Sequence, residues 1–267
     1  MTDTPTALTI AGTDPSGGAG ISADLKTFSA LGAFGTAVIT AVVTQNTRGV
    51  AAVHQLDGAT VAGQLRNLLD DVHIDTVKIG MLGTADVIDA VAEVLRERAV
   101  GPVVLDPVMV AKSGHRLLDA DAVNALRSNL MPLCDLITPN LPEAADLLGV
   151  EEATTVTEMM RQVHALGDLT GGVLLKGGHL DGEESTDLLL SGGRVTELSA
   201  PRVSTRNTHG TGCTLSAAIA ALQPRSAGWE PAVRAAKDYL TGALRHADEL
   251  SIGSGHGPVH HFWRAWD

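Results

Sequence analysis

Short runs of Val, Ile and Leu alternate with longer amphipathic segments, and this alternation constrains the fold more than any other feature of the sequence. The short runs are nearly continuous in apolar residues, which is typical of strands covered on both faces. Strands of this kind, joined by helices, form βαβ units around a parallel sheet. We therefore predict an α/β fold, with strands at residues 7–11, 35–43, 76–79, 102–105, 135–137 and 173–175.

The amphipathic segments between these strands predict the helices, because their apolar residues recur at helical spacing. The first helix is predicted at 22–31, with Ser22 as its N-cap and Gly32 directly after its end. The other helices predicted in this part of the chain are 60–72, 84–98, 119–131 and 143–148.

The pattern changes after Gly178. Two β-rich runs at 185–190 and 194–198, separated by a Ser-Gly-Gly turn, predict a hairpin at the edge of the sheet. Helices resume at 213–222 and 231–250. Since no linker, repeat or low-complexity tract divides the chain, we predict a single domain over residues 1–267.

The charge balance excludes several classes of partner. The chain has 19 basic and 31 acidic residues and a formal net charge of −12, so its surface repels nucleic acid and anionic lipid. Two cysteines are too few for a secreted disulfide scaffold, and residues 1–6 lack the basic and apolar regions of a signal peptide. No apolar run is long enough to cross a bilayer. We expect a soluble, cytoplasmic protein without a nucleic-acid or membrane partner.

Polar, Gly and Pro residues follow the predicted strands. In an open α/β sheet, ligands bind outside the carboxyl ends of the strands, so these loops should share one rim. They are residues 12–20, 45–46, 80–81, 106–107, 138–140 and 176–178.

The strongest single motif is Asn-Thr-His-Gly-Thr-Gly-Cys-Thr at residues 207–214, directly before an apolar helix. Such a turn presents backbone N–H groups at the positive end of the helix dipole, where the charge of a transferring phosphoryl group can bind. The same dipole is expected to favour the thiolate of Cys213. An ordinary glycine-rich turn with a packed cysteine is the alternative.

A second glycine-rich loop, residues 12–20, lies between the first strand and its helix. It lacks the Lys-Ser/Thr pair of a P-loop. It also lacks the acidic partner of a dinucleotide-binding fingerprint, because Gln45 and Asn46 stand where that residue is expected. Enclosure of a substrate by a mobile loop is equally consistent with its composition.

Three further loops carry candidate ligands. Asn140 and Glu143 offer two oxygen ligands suited to Mg²⁺, but the residues alone favour a helix N-terminus with Pro142 in its first turn and Glu143 facing the dipole. Lys176 can direct its ammonium at a bound phosphate or extend into solvent. Asp106 can hold metal-bound water or begin a turn. The small polar loop at 111–115 is typical of a lid.

In this order along the chain, these motifs resemble the ribokinase-like superfamily, and within it the hydroxymethylpyrimidine/phosphomethylpyrimidine kinases of thiamine biosynthesis. The resemblance extends from Leu8 to Val259. It is most specific in six stretches: 8–20, 44–47, 106–109, 112–114, 138–143 and 209–214. It implies a three-layer α/β/α fold with a mostly parallel central sheet and an antiparallel edge hairpin.

The resemblance also implies an activity and a site. The activity is ATP-dependent phosphorylation of 4-amino-5-hydroxymethyl-2-methylpyrimidine and then of its monophosphate, with Mg²⁺ as cofactor. Gln45 would hydrogen-bond the aminopyrimidine edge, because an amide both donates and accepts. The other implied roles are a substrate pocket completed by Gly12, Asp24, Met81 and Val108; a magnesium and phosphate motif at Asn140 and Glu143; a nucleotide side with Asp106, Lys176 and Thr211; and an anion hole at Gly210, Thr211, Gly212 and Cys213.

Cys213 replaces the Asp that most of the superfamily uses as catalytic base, and the resembled pyrimidine kinases share this Cys. We therefore expect the Cys213 thiolate to accept or relay the hydroxymethyl proton.

A pyridoxal or pyridoxine kinase of the same superfamily is the nearest alternative. Relatives that phosphorylate pyridoxal can carry a Cys in the lid loop, and residues 110–114 contain none. A nicotinamide-dependent oxidoreductase and a non-catalytic ligand sensor are more distant alternatives. The resemblance further suggests a homodimer.

Overall fold

The computed structural model describes residues 4–109, 118, 120–178, 180 and 182–266. Its centre is an eight-stranded sheet in the order β10-β9-β8-β7-β6-β5-β1-β2. The strands from β8 to β2 in that order are parallel to one another, and β9 and β10 continue the sheet as an antiparallel hairpin. The strands are β1 Thr6–Ala11, β2 Phe34–Ile39, β5 Thr76–Ile79, β6 Val103–Leu105, β7 Leu136–Ile137, β8 Gly172–Leu175, β9 Glu184–Ser191 and β10 Arg194–Pro201.

Helices cover both faces of the sheet. They are α1 Gly20–Ala30, α2 Gly58–Leu69, α3 Ala85–Glu97, α4 Ala120–Ala125, α5 Leu141–Leu148, α6 Val156–Gly167, α7 Thr211–Leu222 and α8 Trp229–Arg245. None of them, within the part of the chain that the structure describes, is long and apolar enough to cross a membrane.

Two apolar layers result, because successive strand residues point to opposite faces. Val104 and Leu174 pack in one layer with residues of α1, α7 and α8. Their neighbours Leu105 and Leu175 pack in the other layer with residues of α2, α3, α5 and α6. Each fully buried Val, Leu or Ile contributes about 1.5–3 kcal/mol relative to an exposed one. The predicted three-layer α/β/α fold with its edge hairpin is confirmed.

The predicted strand at 35–43 is wrong, because the chain forms two strands there. Thr40 separates β2 from β3 (Ala41–Asn46), and its buried side chain donates a hydrogen bond to the carbonyl of Met81 at 2.7 Å. Strand β3 leaves the main sheet and pairs with β4 (Gly49–Gln55), which the sequence patterns did not predict. A continuous β-rich run contains no signal for such a change of sheet.

Several helix boundaries also differ. Helix α1 begins at Gly20, so Ser22 is not its N-cap; the Ser22 hydroxyl instead donates to the carbonyl of Asp14 at 3.0 Å. The segment predicted at 119–131 is helical only over α4 and continues as a π-turn at Leu126–Leu130. Helix α8 ends at Arg245, and α6 was not predicted. The assignment of the whole chain to one domain stays a prediction.

Candidate active site

The strand order places the predicted rim residues in a row. Lys176 follows β8, Thr138 follows β7, Asp106 follows β6, Met81 lies two residues beyond β5, and Gly12 follows β1. These strands are neighbours and parallel, so their carboxyl ends meet at one edge. The candidate site is this edge, together with the start of α7 and the β3–β4 pair.

The start of α7 exposes free backbone donors. Gly210 precedes the helix in the left-handed conformation, with φ of 77°, and its carbonyl accepts the Thr214 amide at 2.8 Å. The hydroxyl of Thr211 donates to the carbonyl of Thr208 at 2.7 Å. Among the described residues, the amides of Gly212 and Cys213 donate no hydrogen bond. Two free N–H groups at a helix start can bind an anion.

The two glycine-rich loops pack against each other without room for side chains. A Cβ at Gly210 would lie 1.7 Å from the carbonyl oxygen of Gly18, and one at Gly18 would lie 2.5 Å from Cδ2 of His209. Real Cβ atoms do not approach so closely, so both positions require glycine. These glycines therefore serve close packing between the loops.

Asp14 holds the first loop in shape. Its carboxylate accepts hydrogen bonds from the amides of Ser16, Gly18 and Ala19 at 2.8–3.1 Å and lies 2.7 Å from Nε2 of His209. Burial alone would raise the pKa of Asp14, but the hydrogen bonds from His209 and Ser16 outweigh it and lower the pKa to about 2. Enclosure of a substrate by this loop stays a prediction.

Asp106 and Lys176 form an ion pair below the start of α7. The Lys176 Nζ lies 2.9 Å from Oδ1 of Asp106 and 4.0 Å from Oε2 of Glu143. The Thr138 hydroxyl donates to Oδ1 of Asp106 at 3.2 Å. A Cβ at Gly212 would lie 3.4 Å from both Oδ2 of Asp106 and Nζ of Lys176, so the free amides and the ion pair share one small space.

Asn140 and Glu143 form a capping box at the start of α5. The Asn140 side chain accepts from the Glu143 amide at 2.9 Å, and Oε2 of Glu143 accepts from the Asn140 amide at 2.8 Å. The helix start that the sequence offered as the alternative to a magnesium site is confirmed, and the capping box is an addition that the sequence patterns did not predict. Burial raises the pKa of Glu143 to about 7, the Lys176 ammonium opposes this, and the Asp106 carboxylate adds to it.

A hard divalent cation fits this charge distribution. Two buried carboxylates, Asp106 and Glu143, face the single ammonium of Lys176, and a cation beside them would balance the remaining negative charge. In the described residues, no group of three or more His, Cys, Asp or Glu side chains could hold a metal ion. Phosphate and water oxygens would therefore have to complete the coordination of Mg²⁺, which is usual for this ion.

The pKa of Cys213 favours the protonated thiol at neutral pH. Burial raises its pKa to about 11, although the Lys78 ammonium and the Gly20 amide oppose the shift. The direction is opposite to that expected from the helix dipole, because the cost of burying a charge exceeds the dipole's contribution.

Gly12, Met81 and Gln45 lie around the loop after β1. A Cβ at Gly12 would be 2.5 Å from Cε of Met81, so the Met81 methyl group rests on the glycine backbone. Gln45, on β3, donates to the carbonyl of Thr13 at 3.5 Å. The Val108 amide donates to the carbonyl of Asp106 at 2.8 Å, which keeps Val108 at the same rim. Direct contact of these residues with a pyrimidine stays a prediction.

Asp24 lies on α1 with its side chain fully enclosed. Both carboxylate oxygens contact Nζ of Lys78, at 2.8 and 3.0 Å, and the Thr9 hydroxyl donates to Oδ2 at 2.6 Å. Burial alone would lower the pKa of Lys78, but the Asp24 carboxylate outweighs it and raises the pKa. Without a rearrangement, Asp24 can influence a substrate only through neighbouring groups, in contrast to its predicted place in the pocket lining.

Sequence reasoning missed Lys78, Asp14 and His209 as contributors to the site. Lys78 carried a signal, because a lysine in the middle of an apolar strand covered on both faces needs a buried partner. Asp14 and His209 stood inside the quoted motifs without a role. The predicted lid at 111–115 and the stretch 112–114 lie outside the described residues.

The sequence model of the phosphomethylpyrimidine kinase family matches residues 14–260, which include most of the first glycine-rich loop, all of the loop before α7 and the Asp106–Lys176 pair. The chain belongs to this family.

Similarity to individual phosphomethylpyrimidine kinases extends over nearly the whole chain. The hydroxymethylpyrimidine/phosphomethylpyrimidine kinase of Escherichia coli (strain K12) is 57% identical over 261 residues, which cover 97% of this chain and 98% of that protein. The solved phosphomethylpyrimidine kinase from Clostridium difficile 630 is 40% identical, with a TM-score of 0.80, and the match covers 90% of this chain and 99% of that one.

A pyridoxal kinase shares the fold at lower sequence identity. The enzyme from Staphylococcus aureus in complex with AMP-PCP and pyridoxal is 32% identical, with a TM-score of 0.89, and the match covers 98% of this chain and 95% of that one. The resemblance inferred from the motifs and the prediction of a phosphotransferase are both confirmed.

Proposed function

We propose that the protein transfers the γ-phosphoryl group of ATP to 4-amino-5-hydroxymethyl-2-methylpyrimidine, and then transfers a second one to the monophosphate, in thiamine biosynthesis. The observation that carries the proposal is the pair of free amides at Gly212 and Cys213, directly above the Asp106–Lys176 ion pair. Donors fixed in place before reaction stabilise charge on a transferring phosphoryl group without a cost of reorganisation.

In the first transfer, the hydroxymethyl oxygen attacks the γ-phosphorus. The bond from that phosphorus to the bridging oxygen of ADP breaks, and the hydroxyl proton leaves. The Gly212 and Cys213 amides would hold the equatorial phosphoryl oxygens, and the Lys176 ammonium, 2.9 Å from Asp106, would lie on the nucleotide side. Mg²⁺, when bound near Glu143 and Asn140, would neutralise charge on the phosphates.

In this proposal, Cys213 accepts or relays the hydroxyl proton. Because the transition state of phosphoryl transfer is loose, the hydroxyl needs little deprotonation until late in the step. With a pKa of about 11, only a small fraction of Cys213 is ionised at neutral pH, so a rate carried by the thiolate rises with pH above neutrality.

Single-turnover transfer by Cys213→Ala tests this role, with Cys134→Ala as the control, since Cys134 is buried and bonded to the carbonyl of Leu130 instead. We expect a reduced rate for Cys213→Ala alone. An unchanged rate in both variants would eliminate the relay.

Pyrimidine recognition is assigned to Gln45, Gly12, Met81 and Val108. Sequence identity favours a pyrimidine substrate over pyridoxal. The Escherichia coli pyrimidine kinase is 57% identical to this chain, whereas the Staphylococcus aureus pyridoxal kinase is 32% identical.

The decisive experiment supplies ATP and Mg²⁺ with the hydroxymethylpyrimidine, its monophosphate, pyridoxal and pyridoxine, and measures product masses. Phosphorylation of both pyrimidines is expected. A product from pyridoxal alone would contradict the proposal. The same preparation, measured by light scattering, tests the homodimer that we infer from the family; the cytoplasmic location also stays a prediction.

A further inference from the structure

The two glycine-rich loops are joined by a contact between side chains that the assigned roles do not use. Asp14 is only 2% exposed, and four of its hydrogen bonds come from its own loop. Its remaining partner is Nε2 of His209, at 2.7 Å from Oδ2. Because a carboxylate only accepts, His209 must donate through Nε2 in this contact. His209 directly precedes Gly210, so the contact reaches across to the start of α7.

Asp14 is connected to the pyrimidine side through its neighbour in sequence, Thr13. The Thr13 amide donates to the carbonyl of Ala41 at 2.9 Å, and its hydroxyl accepts the Val43 amide at 2.9 Å. The side chain of Gln45 donates to the Thr13 carbonyl at 3.5 Å. The residue assigned to pyrimidine recognition is therefore bonded to the residue before Asp14.

His209 is connected to the free amides through its own loop. Its ring lies against Gly18, and Gly210 contacts the Gly18 carbonyl so closely that neither glycine can carry a Cβ. A Cβ at Gly210 would also lie 3.3 Å from Cα of Ala19, the next residue of the first loop. The loops thus touch directly beside the Asp14–His209 contact, so we expect a shift at His209 to be transmitted to the start of α7.

We propose that the Asp14–His209 contact fixes the amides of Gly212 and Cys213 relative to the bound pyrimidine, which makes Asp14 and His209 positioning residues for phosphoryl transfer. The inference rests on the proposed function, since it places the γ-phosphoryl group at these amides. Both side chains act through the backbone of their loops. Small misplacements of a reacting group can lower a rate by up to about 10²-fold.

Two substitutions of His209 by amide side chains of different length provide the kinetic test. His209→Gln keeps an N–H donor that can extend to Asp14, whereas the shorter side chain of His209→Asn cannot. We expect kcat to fall about 30-fold in His209→Asn and to stay within about 3-fold of wild type in His209→Gln, with KM for the pyrimidine changed by less than about 3-fold in both. Equal kcat values in the two variants would overturn the proposal.

Nucleotide binding gives a readout that does not depend on turnover. AMP-PCP carries a γ-phosphoryl group and ADP does not. Displacement of the amides at Gly212 and Cys213 should therefore weaken the binding of AMP-PCP only. Calorimetry in the presence of the pyrimidine should show AMP-PCP bound about tenfold more weakly by His209→Asn than by wild type, with ADP affinity within about 2-fold. Equal weakening of both nucleotides would indicate general damage and contradict a positioning role.

Lys26→Met is the matched control. Lys26 Nζ donates to the carbonyl of Gly17 at 2.7 Å, so this variant loses a contact to the same loop without touching the Asp14–His209 pair. Its kcat and its ratio of AMP-PCP to ADP affinity should equal those of wild type; a loss as large as in His209→Asn would refute the proposal.

If wild type binds both nucleotides but does not phosphorylate a pyrimidine, the proposed substrate is wrong, and the affinity ratio still decides the role of His209. If wild type binds neither nucleotide, both are wrong.

Discussion

Two lysine–aspartate pairs lie under neighbouring parts of the rim, and they differ in what surrounds them. The Asp24–Lys78 pair has no exposed side-chain surface, and Thr9 donates a further hydrogen bond to Asp24. The Asp106–Lys176 pair has Glu143 4.0 Å from the ammonium and Gly212 above it, with 15% of the Lys176 side chain exposed. The Asp24–Lys78 pair is enclosed with its own partners, whereas the Asp106–Lys176 pair faces the additional negative charge of Glu143 and has a partly exposed lysine.

The position of each lysine along its strand accounts for this difference. Lys78 lies within β5, where both faces of the sheet are covered. Lys176 lies one residue beyond β8, at the carboxyl end where ligands bind in this class of fold. The same chemical pair is therefore structural inside the strand and available for catalysis at its end.

Removal of the enclosed lysine should have the largest effect, and it should be an effect on stability. Lys78→Met leaves the Asp24 carboxylate buried without its cation, so we expect the free energy of unfolding to fall by about 3–5 kcal/mol. Urea denaturation measures this. The double variant Asp24→Leu/Lys78→Met removes both charges and should recover most of the loss. If the single variant were as stable as wild type, the pair would not be structural.

Removal of the rim lysine should instead affect the rate. Lys176→Met is expected to lower kcat about 10²-fold, because a positive charge near the transferring phosphoryl group is lost. Its unfolding free energy should change by less than the loss in Lys78→Met, since Asp106 still accepts from the Thr138 hydroxyl at 3.2 Å. Steady-state kinetics and urea denaturation of both lysine variants together test the comparison. A large stability loss with normal kcat would reverse the two assignments.

The region between Gly212 and the Asp106–Lys176 pair is tested by adding a methyl group there. Gly212→Ala places a methyl group 3.4 Å from both Asp106 and Lys176, directly beside the free amides. We expect kcat to fall about 30-fold, while unfolding stability stays equal or rises, because Ala is the better helix former. Gly63→Ala, inside α2 with nothing within 4 Å of the added Cβ, is the control and should gain stability without any change in rate. Normal activity of Gly212→Ala would mean that no substrate group occupies this space.

Sequence patterns predicted the sheet and its rim because both depend on local periodicity. The apolar runs that became β1, β5 and β8 and the loops after them needed no long-range information. The pairing of β3 with β4 could not be predicted, because it depends on Thr40 redirecting the chain through its contact with Met81, 41 positions away. In the site, residue types indicated Lys176 and Asp106, but the enclosure of Asp24 depends on Lys78, 54 positions away.

The protonation of Glu143 shows the same limit and gives the smallest predicted effect. Its carboxyl pKa is raised from 4.5 to about 7 mainly by burial, which no spacing in the sequence reveals. Since the folded protein retains a proton that the unfolded chain releases, this group's contribution to stability is fully present below pH 4.5 and is lost as the pH rises through about 7. Glu143→Gln should remove that dependence.

Magnesium binding should show the opposite trend, because the ion needs the ionised carboxylate and competes with the proton. From about pH 6 to about pH 8, the apparent affinity for magnesium in the presence of ADP should rise about tenfold in wild type and stay flat in Glu143→Gln. Calorimetric titration at each pH measures this. A parallel rise in the variant would assign the effect to the nucleotide phosphates or to Asp106. The Glu143 carboxylate, which distinguishes the Asp106–Lys176 pair from the enclosed Asp24–Lys78 pair, would then have no part in binding the metal.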